Sequence, residues 1–90
     1  MTMDVRHIRS ANMRDTGWTT LVEARAALIG VGYDNALMQD LYVTDDGLAA
    51  QNDSGTLTGL LRITADHRVF FYYLAITDVV FEVEFIFAFS

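Results

Sequence analysis

The sequence contains no cysteine, no proline and no lysine, and these absences exclude several classes of site. Without cysteine the chain has no disulfide framework, no thiolate metal site and no thiol nucleophile. Without lysine, all 6 basic residues are arginines, and they stand against 12 acidic residues, so that the net charge is −6. Because an acidic protein repels nucleic-acid phosphate, we expect no direct binding to DNA or RNA.

Signals for membrane insertion or export are also weak. The amino-terminal residues carry charge but no apolar run of about seven residues or more, which argues against a secretory signal. The apolar stretch from Val69 to Phe89 contains Asp78, Glu82 and Glu84, and each charge in hydrocarbon costs about 3 kcal/mol. We therefore interpret this stretch as β-sheet, expect no membrane contact and expect a cytoplasmic location, that of the host cell if the protein is viral.

The last third of the chain is a dense run of β-branched and aromatic residues that includes all 6 phenylalanines. Such a composition, broken by short polar pauses, is typical of successive β-strands. Reversals at Asp66-His67 and Thr77-Asp78, treated as two-residue loops, give three antiparallel strands with defined partners. Neither turn has the Gly or Asn-Gly that a tight turn prefers, so the alternative is a loop of three or four residues with a bulge that restores the phase. One face of this sheet is then almost purely apolar and is expected to form the core: Leu57, Leu61, Ile63, Phe70, Tyr72, Leu74, Ile76, Val79, Phe81, Val83 and Phe85.

The opposite face of the predicted sheet is mixed, with Arg62, Glu82 and Glu84 among apolar residues. Its apolar patch is predicted to mediate self-association and consists of Leu60, Phe71, Tyr73, Val80 and Ile86. The segment from Val79 to Phe89 would also leave an apolar edge, which invites pairing with another chain. We therefore expect a homodimer, formed through the back of the sheet or through this edge. The alternative is that residues 1–15 fold back as a strand and cover the surface within one chain.

One helix is predicted over Thr16–Gly30. Thr20 followed by Glu23 matches a capping box, in which side chains satisfy the free backbone amides of the first turn. Thr16 and Thr19 are the alternative caps, which would start the helix up to a turn earlier. An apolar stripe at helical spacing is formed by Leu21, Val22, Ala24, Leu28 and Ile29. Arg25 falls inside this stripe, so its guanidinium is expected either to reach water at the rim or to pair with a carboxylate on the sheet, such as Glu82 or Glu84.

Asp46-Gly47 between two apolar runs is the clearest hairpin signal in the chain and places Val43 opposite Ala50. A further turn at residues 52–55 leads into the last third. Together these signals predict a single α+β domain over residues 1–90. Its architecture is one α-helix packed on a four- to five-stranded antiparallel β-meander, with a possible additional strand at the amino terminus.

Acidic residues are concentrated between Arg25 and Arg62, where no basic residue interrupts them. Four of them are predicted to bind a basic protein partner: Asp40, Asp45, Asp46 and Asp53. They lack the alternating spacing and the closing glutamate of a calcium loop, so we expect no metal site. Aspartate and asparagine side chains bond their own backbone in turns, which explains most of the cluster without a ligand.

Two pairs of polar residues resemble catalytic groups, but neither has the surroundings that catalysis needs. Asp66-His67 is placed in a hairpin tip with no nucleophile beside it. Glu82 and Glu84 are about 7 Å apart on one strand, a separation suited to glycoside hydrolysis, but no aromatic cleft accompanies them. We therefore expect a non-enzymatic protein with no catalytic residue, no metal and no cofactor.

The small size, the acidic centre and the excess of apolar sheet surface favour a protein-binding module. The preferred hypothesis is an acidic inhibitor that occupies a basic, nucleic-acid-binding surface of a larger partner, as phage-encoded inhibitors do. One alternative is a structural or assembly subunit that self-associates through its sheet, for example in a viral particle. The other is a small-molecule-binding module that uses the concavity between helix and sheet.

Overall fold

The computed structural model of the chain describes residues 8–45, 49–50, 55–75 and 78–87. The elements in chain order are β1 (Ile8–Asp15), α1 (Leu21–Gly30), a 3₁₀ helix (Asn35–Leu37), β2 (Met38–Val43), β3 (Ala49–Ala50), β4 (Thr56–Ile63), β5 (Val69–Leu74) and β6 (Val80–Phe87). The strands form one antiparallel sheet in the order β1-β6-β5-β4-β2-β3. One helix packed on an antiparallel sheet confirms the predicted α+β class.

The sheet departs from a simple meander at β3. The predicted hairpin forms, but Val43 lies opposite Ala49 and not Ala50, and Tyr42 lies opposite Ala50. Its tip, Asp46-Gly47, is outside the described residues. β4 then pairs with β2 and leaves β3 at the edge of the sheet. Because β3 has only 2 residues, the 6-residue β2 offers β4 a much longer ladder.

The amino-terminal segment supplies a strand of its own. β1 pairs antiparallel with β6, with a bulge between Ser10 and Met13. β6 therefore has β5 on one side and β1 on the other. The prediction that Val79 to Phe89 form an open edge is therefore wrong for β6. The backbone groups of β6 that could have paired with another chain pair with β1 of the same chain.

Both hairpins of the last third have three-residue loops, one residue longer than the two-residue loops used for the predicted pairing, as the alternative expected, but no bulge restores the phase. In the β4–β5 loop, the Thr64 N–H donates to the Arg68 carbonyl at 2.9 Å and the His67 N–H donates to the Thr64 carbonyl at 3.0 Å. His67 takes the left-handed conformation with φ 64°, and Asp78 does so in the β5–β6 loop with φ 56°. A residue of this conformation closes the common three-residue hairpin loop, and aspartate and histidine tolerate positive φ better than most residues do.

The extra loop residue moves the pairing of each hairpin by one position. Leu60 and not Leu61 lies opposite Tyr72, and Val80 and not Phe81 lies opposite Leu74. A shift of one residue turns a strand over, because its side chains alternate between faces. The predicted core face is therefore right for β5 and wrong for β6, and in β4 it is right only at Leu57, which packs against the core. Ile76, another predicted member, lies outside the described residues.

The two faces of the sheet follow from this pairing. The side that α1 covers, which we call the helix side, carries Leu60, Arg62, Phe70, Tyr72, Leu74, Val80, Glu82, Glu84 and Ile86. The opposite side carries Gly59, Leu61, Ile63, Val69, Phe71, Tyr73, Phe81, Val83 and Phe85.

Helix α1 begins where the capping signal predicts. The Thr20 hydroxyl accepts from the Glu23 N–H at 3.0 Å, whereas the Glu23 carboxylate accepts from the backbone and hydroxyl of Thr19 at 3.1 and 3.0 Å. Val22 and Ile29 are 71% and 42% exposed, so the predicted stripe is too wide. Among the described residues, no helix is long and apolar enough to cross a membrane.

The core lies between α1 and the helix side of the sheet. Its buried members are Leu21, Ala24, Leu28, Met38, Leu60, Phe70, Tyr72 and Val80. Trp18 packs at its margin, with its ring centroid 6.0 Å from that of Tyr72. Each large apolar side chain buried in this way contributes about 1.5–3 kcal/mol relative to its exposed state.

The loop conformation can be tested at His67. We expect His67→Val to lower the free energy of unfolding by about 1–2 kcal/mol, because a β-branched residue is strained at positive φ. His67→Gly should be neutral or stabilising by up to about 1 kcal/mol, since glycine adopts this conformation freely. Ala65→Val in the same exposed loop is the control and should have little effect. If urea unfolding shows that His67→Val lowers the free energy of unfolding no more than Ala65→Val does, the three-residue loop is contradicted.

Candidate functional site

Four aromatic side chains lie together on the side of the sheet that α1 does not cover. They are Phe71 and Tyr73 of β5 and Phe81 and Phe85 of β6, and we call this surface the aromatic face. The centroid of the Phe71 ring is 6.1 Å from those of Tyr73 and Phe85, and Tyr73 is 6.0 Å from Phe81. These distances are typical of interacting aromatic pairs.

The rings themselves cover the small apolar residues of this side. A Cβ atom at Gly59 would collide with the Phe71 ring, so the ring lies against β4 where only glycine leaves room. Leu61, Val69 and Val83 are 7%, 1% and 6% exposed. Within residues 8–45, 49–50, 55–75 and 78–87, no further layer packs on this side, and the four rings are half-buried.

Strand β1 extends the aromatic face. Met13 is 65% exposed and its sulfur accepts a hydrogen bond from the Tyr73 hydroxyl at 3.0 Å. Asp15 lies opposite Phe81 at the rim, and its carboxylate turns back to accept from the Gly17 N–H at 2.7 Å. The centre of the face therefore presents aromatic and thioether groups without a formal charge, as the core of a protein interface does.

The helix side carries a polar network that runs across four strands and is buried except at Arg14, whose side chain is exposed. The Tyr72 hydroxyl donates to the Glu82 carboxylate at 2.6 Å and accepts from the Arg62 Nε at 3.1 Å. The other oxygen of Glu82 is 3.0 Å from Arg14 of β1. Arg62 and Glu82 are only 5% and 9% exposed. The expectation that Glu82 points outward is wrong, because the longer loop turns β6 over.

Aromatic rings surround the buried guanidinium of Arg62. Its Cζ atom is 4.1 Å from the centroid of Tyr33 and 4.3 Å from that of Phe70. The Nη1 atom has no hydrogen-bond partner among the described groups. Contact with the faces of the rings replaces part of the lost hydration of the cation, while Glu82 supplies the counter-charge.

A second ion pair lies further out on the same side. Arg68 donates from Nε and Nη2 to the two oxygens of Glu84, both at 2.8 Å. These hydrogen bonds lower the pKa of Glu84 below its usual range. Glu82 and Glu84 are thus each held by arginine, and they do not face each other across a cleft.

The predicted acidic cluster includes a carboxylate that already has partners within the chain. The Asp40 carboxylate accepts from the Arg25 guanidinium and from the Tyr42 hydroxyl at 3.3 Å. Arg25 therefore pairs with a carboxylate of the sheet, as one alternative expected, but with Asp40 and not with Glu82 or Glu84. Asp45 is exposed, and the other two members, Asp46 and Asp53, lie outside the described residues.

The residues predicted to self-associate do not share one surface. Leu60 and Val80 are 1% and 0% exposed in the core, and Ile86 is 59% exposed on the helix side. Phe71 and Tyr73 lie on the aromatic face. The grouping is therefore wrong, and self-association itself stays a prediction. Sequence reasoning missed Phe81, Phe85 and Met13, although the lack of a Gly or Asn-Gly at either turn was a signal for the longer loops.

The Asp66-His67 pair has a local role in its loop. Asp66 accepts from the Thr64 hydroxyl, and that hydrogen bond lowers the pKa of Asp66. Both residues are exposed at the hairpin tip. In the part of the chain that the structure describes, no three His, Asp or Glu side chains are grouped so that they could hold a metal ion.

Comparison with known proteins does not identify the chain. No protein family, no curated protein and no solved structure matches it. The two most distinctive features of the molecule are the aromatic face and the buried network behind it.

The network makes Glu82 a residue on which stability depends. We expect Glu82→Gln to lower the free energy of unfolding by about 3 kcal/mol or more, because it leaves the buried Arg62 charge without a counter-charge. Glu84→Gln is the matched control, with the same change two residues along the same strand at a more exposed pair, and it should matter much less. If urea unfolding shows the same loss of free energy of unfolding for Glu82→Gln and Glu84→Gln, Glu82 is not the buried partner of Arg62.

The buried phenol of Tyr72 leads us to expect that the protein loses stability at alkaline pH. Burial, and then the hydrogen bond to Glu82, raise the pKa of Tyr72 above its ordinary value. The folded state therefore favours the neutral phenol. The contribution of Tyr72 to the free energy of unfolding is fully present below about pH 10, which is the pKa of tyrosine in an unfolded chain. This contribution is lost as the pH rises above that value. Urea midpoints measured from neutral to strongly alkaline pH should fall, and Tyr72→Phe should flatten that fall. Tyr73→Phe, on the opposite side of the sheet, should leave it unchanged.

Proposed function

We propose that this chain is a non-enzymatic protein-binding module that docks through its aromatic face and forms a homodimer there. The observation that carries the proposal is the group of four half-buried rings on a side of the sheet where the described residues provide no covering layer. Monomeric proteins rarely leave a large continuous apolar patch to water, and such patches are often interaction sites.

The size of the aromatic face suits a modest interface. Together with the neighbouring parts of β1 and β4, the face spans four strands at about 4.8 Å spacing and six residues at about 3.3 Å, which gives about 400 Å² of projected sheet. Two such faces in contact would bury about 1,000 Å² of accessible surface, near the lower limit for a specific complex. Packing of sheet on sheet at about 10 Å is the usual way for two apolar sheet faces to cover each other.

A second copy is favoured over a basic partner because of where the charges lie. The defining residues of the aromatic face carry no formal charge, so the net charge of −6 does not oppose face-to-face contact at its centre. Inhibition of a basic protein stays a second prediction, supported by that net charge and by the exposed Asp45. The expected cytoplasmic location likewise stays a prediction.

Sedimentation velocity tests the dimer at micromolar concentration. We expect the unmutated chain to sediment as a dimer or larger species, and Phe71→Glu or Tyr73→Glu to shift it toward monomer, because a charge would be buried at the centre of the interface. Ile86→Glu is the matched control: it adds the same charge at an exposed position on the helix side of the sheet. A clean monomer for the unmutated chain overturns the proposal, as does dissociation caused equally by Ile86→Glu.

A further inference from the structure

Met13 places an exposed sulfur atom on the aromatic face. The chain has 4 methionines and no cysteine, so thioether sulfur is the only sulfur that an oxidant can attack. Two of these methionines, Met13 and Met38, belong to the part of the chain that the structure describes. Met13 is 65% exposed, whereas Met38 is 4% exposed in the core. Within the described ranges, Met13 is therefore the methionine that a dissolved oxidant reaches.

The surroundings of Met13 join its sulfur to the aromatic face. Met13 lies opposite Val83 of β6, and Val83 lies opposite Phe71 of β5. The Tyr73 hydroxyl donates a hydrogen bond to the Met13 sulfur at 3.0 Å, although a thioether is only a weak acceptor. A chemical change at this sulfur is therefore a change at the surface through which we propose that the chain dimerises.

We propose that Met13 is an oxidative modification site, at which hydrogen peroxide converts the thioether to a sulfoxide and thereby dissociates the dimer. A lone pair of the sulfur attacks one oxygen of the peroxide, so that an S–O bond forms while the O–O bond breaks. The leaving hydroxide takes the proton of the transferred oxygen and departs as water. The sulfur is oxidised by two electrons and the peroxide is reduced by two, and the product is the polar sulfoxide.

The sulfoxide weakens the contact between two aromatic faces because its oxygen requires hydrogen bonds. The Tyr73 hydroxyl already points at the sulfur and holds the new oxygen on the face, since that oxygen is a stronger acceptor than the thioether. In the monomer, water supplies the remaining hydrogen bonds. In the dimer, the opposing rings exclude water without replacing it, and burial of a polar group that lacks partners is unfavourable.

This inference rests on the proposed function, because it is the dimer through the aromatic face that the sulfoxide dissociates. An interface near the lower limit of size has little affinity in reserve, so one added polar group shifts the chain toward monomer. Such a small dimer also exchanges with monomer, in which the Met13 sulfur is open to peroxide.

Peptide mapping tests the modification site itself. Trypsin cleaves after arginine, so Met13 falls in peptide 10–14, Met38 in peptide 26–62, and Met1 and Met3 in peptide 1–6. During a time course in hydrogen peroxide, we expect peptide 10–14 to gain the mass of one oxygen, about 16 Da, well before peptide 26–62 does. If peptide 26–62 is oxidised as fast as peptide 10–14, the assignment of Met13 is overturned.

Sedimentation velocity on samples from the same time course tests the effect on the dimer. We expect the unmutated chain to shift from dimer to monomer mass, with a monomer fraction that follows the oxidised fraction of peptide 10–14 and not that of peptide 1–6. Circular dichroism should stay unchanged, because the modified side chain lies on the surface. A dimer that persists after complete oxidation of peptide 10–14 overturns the inference and leaves the proposed function intact.

Two matched variants separate Met13 from the other methionines. Met13→Leu should sediment in the same way before and after peroxide, because it has no thioether at this position. Met38→Leu makes the same substitution in the core and should keep the response to peroxide of the unmutated chain. Peroxide that dissociates Met13→Leu overturns the inference alone. An unmutated chain that is monomeric before any peroxide is added overturns the proposed function and the inference together.

Discussion

The structure depends on the left-handed conformation of His67 and Asp78, the residues that close the two hairpin loops of β4, β5 and β6. Each loop thereby holds three residues instead of two, and the pairing of each hairpin moves by one position. Because side chains alternate along a strand, this single step decides which residues of β4 and β6 lie under the helix and which lie on the open side.

One consequence is that charges are buried where apolar residues were expected. Arg62 and Glu82 lie under the helix layer, joined by Tyr72 and surrounded by aromatic rings. A buried ion pair seldom adds net stability. Any arrangement that separates its members is strongly destabilised, however, because it leaves a buried charge without a counter-charge. A slip of one residue at either hairpin would separate the two members, so the network and the loops enforce the same pairing. Arg14 extends this dependence to β1.

The other consequence is that Phe81 and Phe85 lie on the side of the sheet that α1 leaves open. The aromatic residues that do not fit under α1 form their own layer on the far side of the sheet, and α1 presents Val22 and Ile29 on its outward side. A single helix and a single sheet cannot cover both, since each layer has two sides and only one side of each meets the other. The proposed dimer would cover the open side of the sheet.

The sequence by itself determined the composition of the elements: the α+β class, the start of α1 at its Thr20 cap and the presence of hairpins near Asp66-His67 and Thr77-Asp78. These are local properties, since capping, turn chemistry and strand composition act over a few neighbouring residues. Only the tertiary structure decided the pairing, the burial of Glu82 and the placement of Phe81 on the aromatic face. A difference of one residue in the length of a loop is hardly visible in the composition of the sequence. It nevertheless moves every side chain of the following strand to the other face of the sheet, because side chains alternate between the two faces.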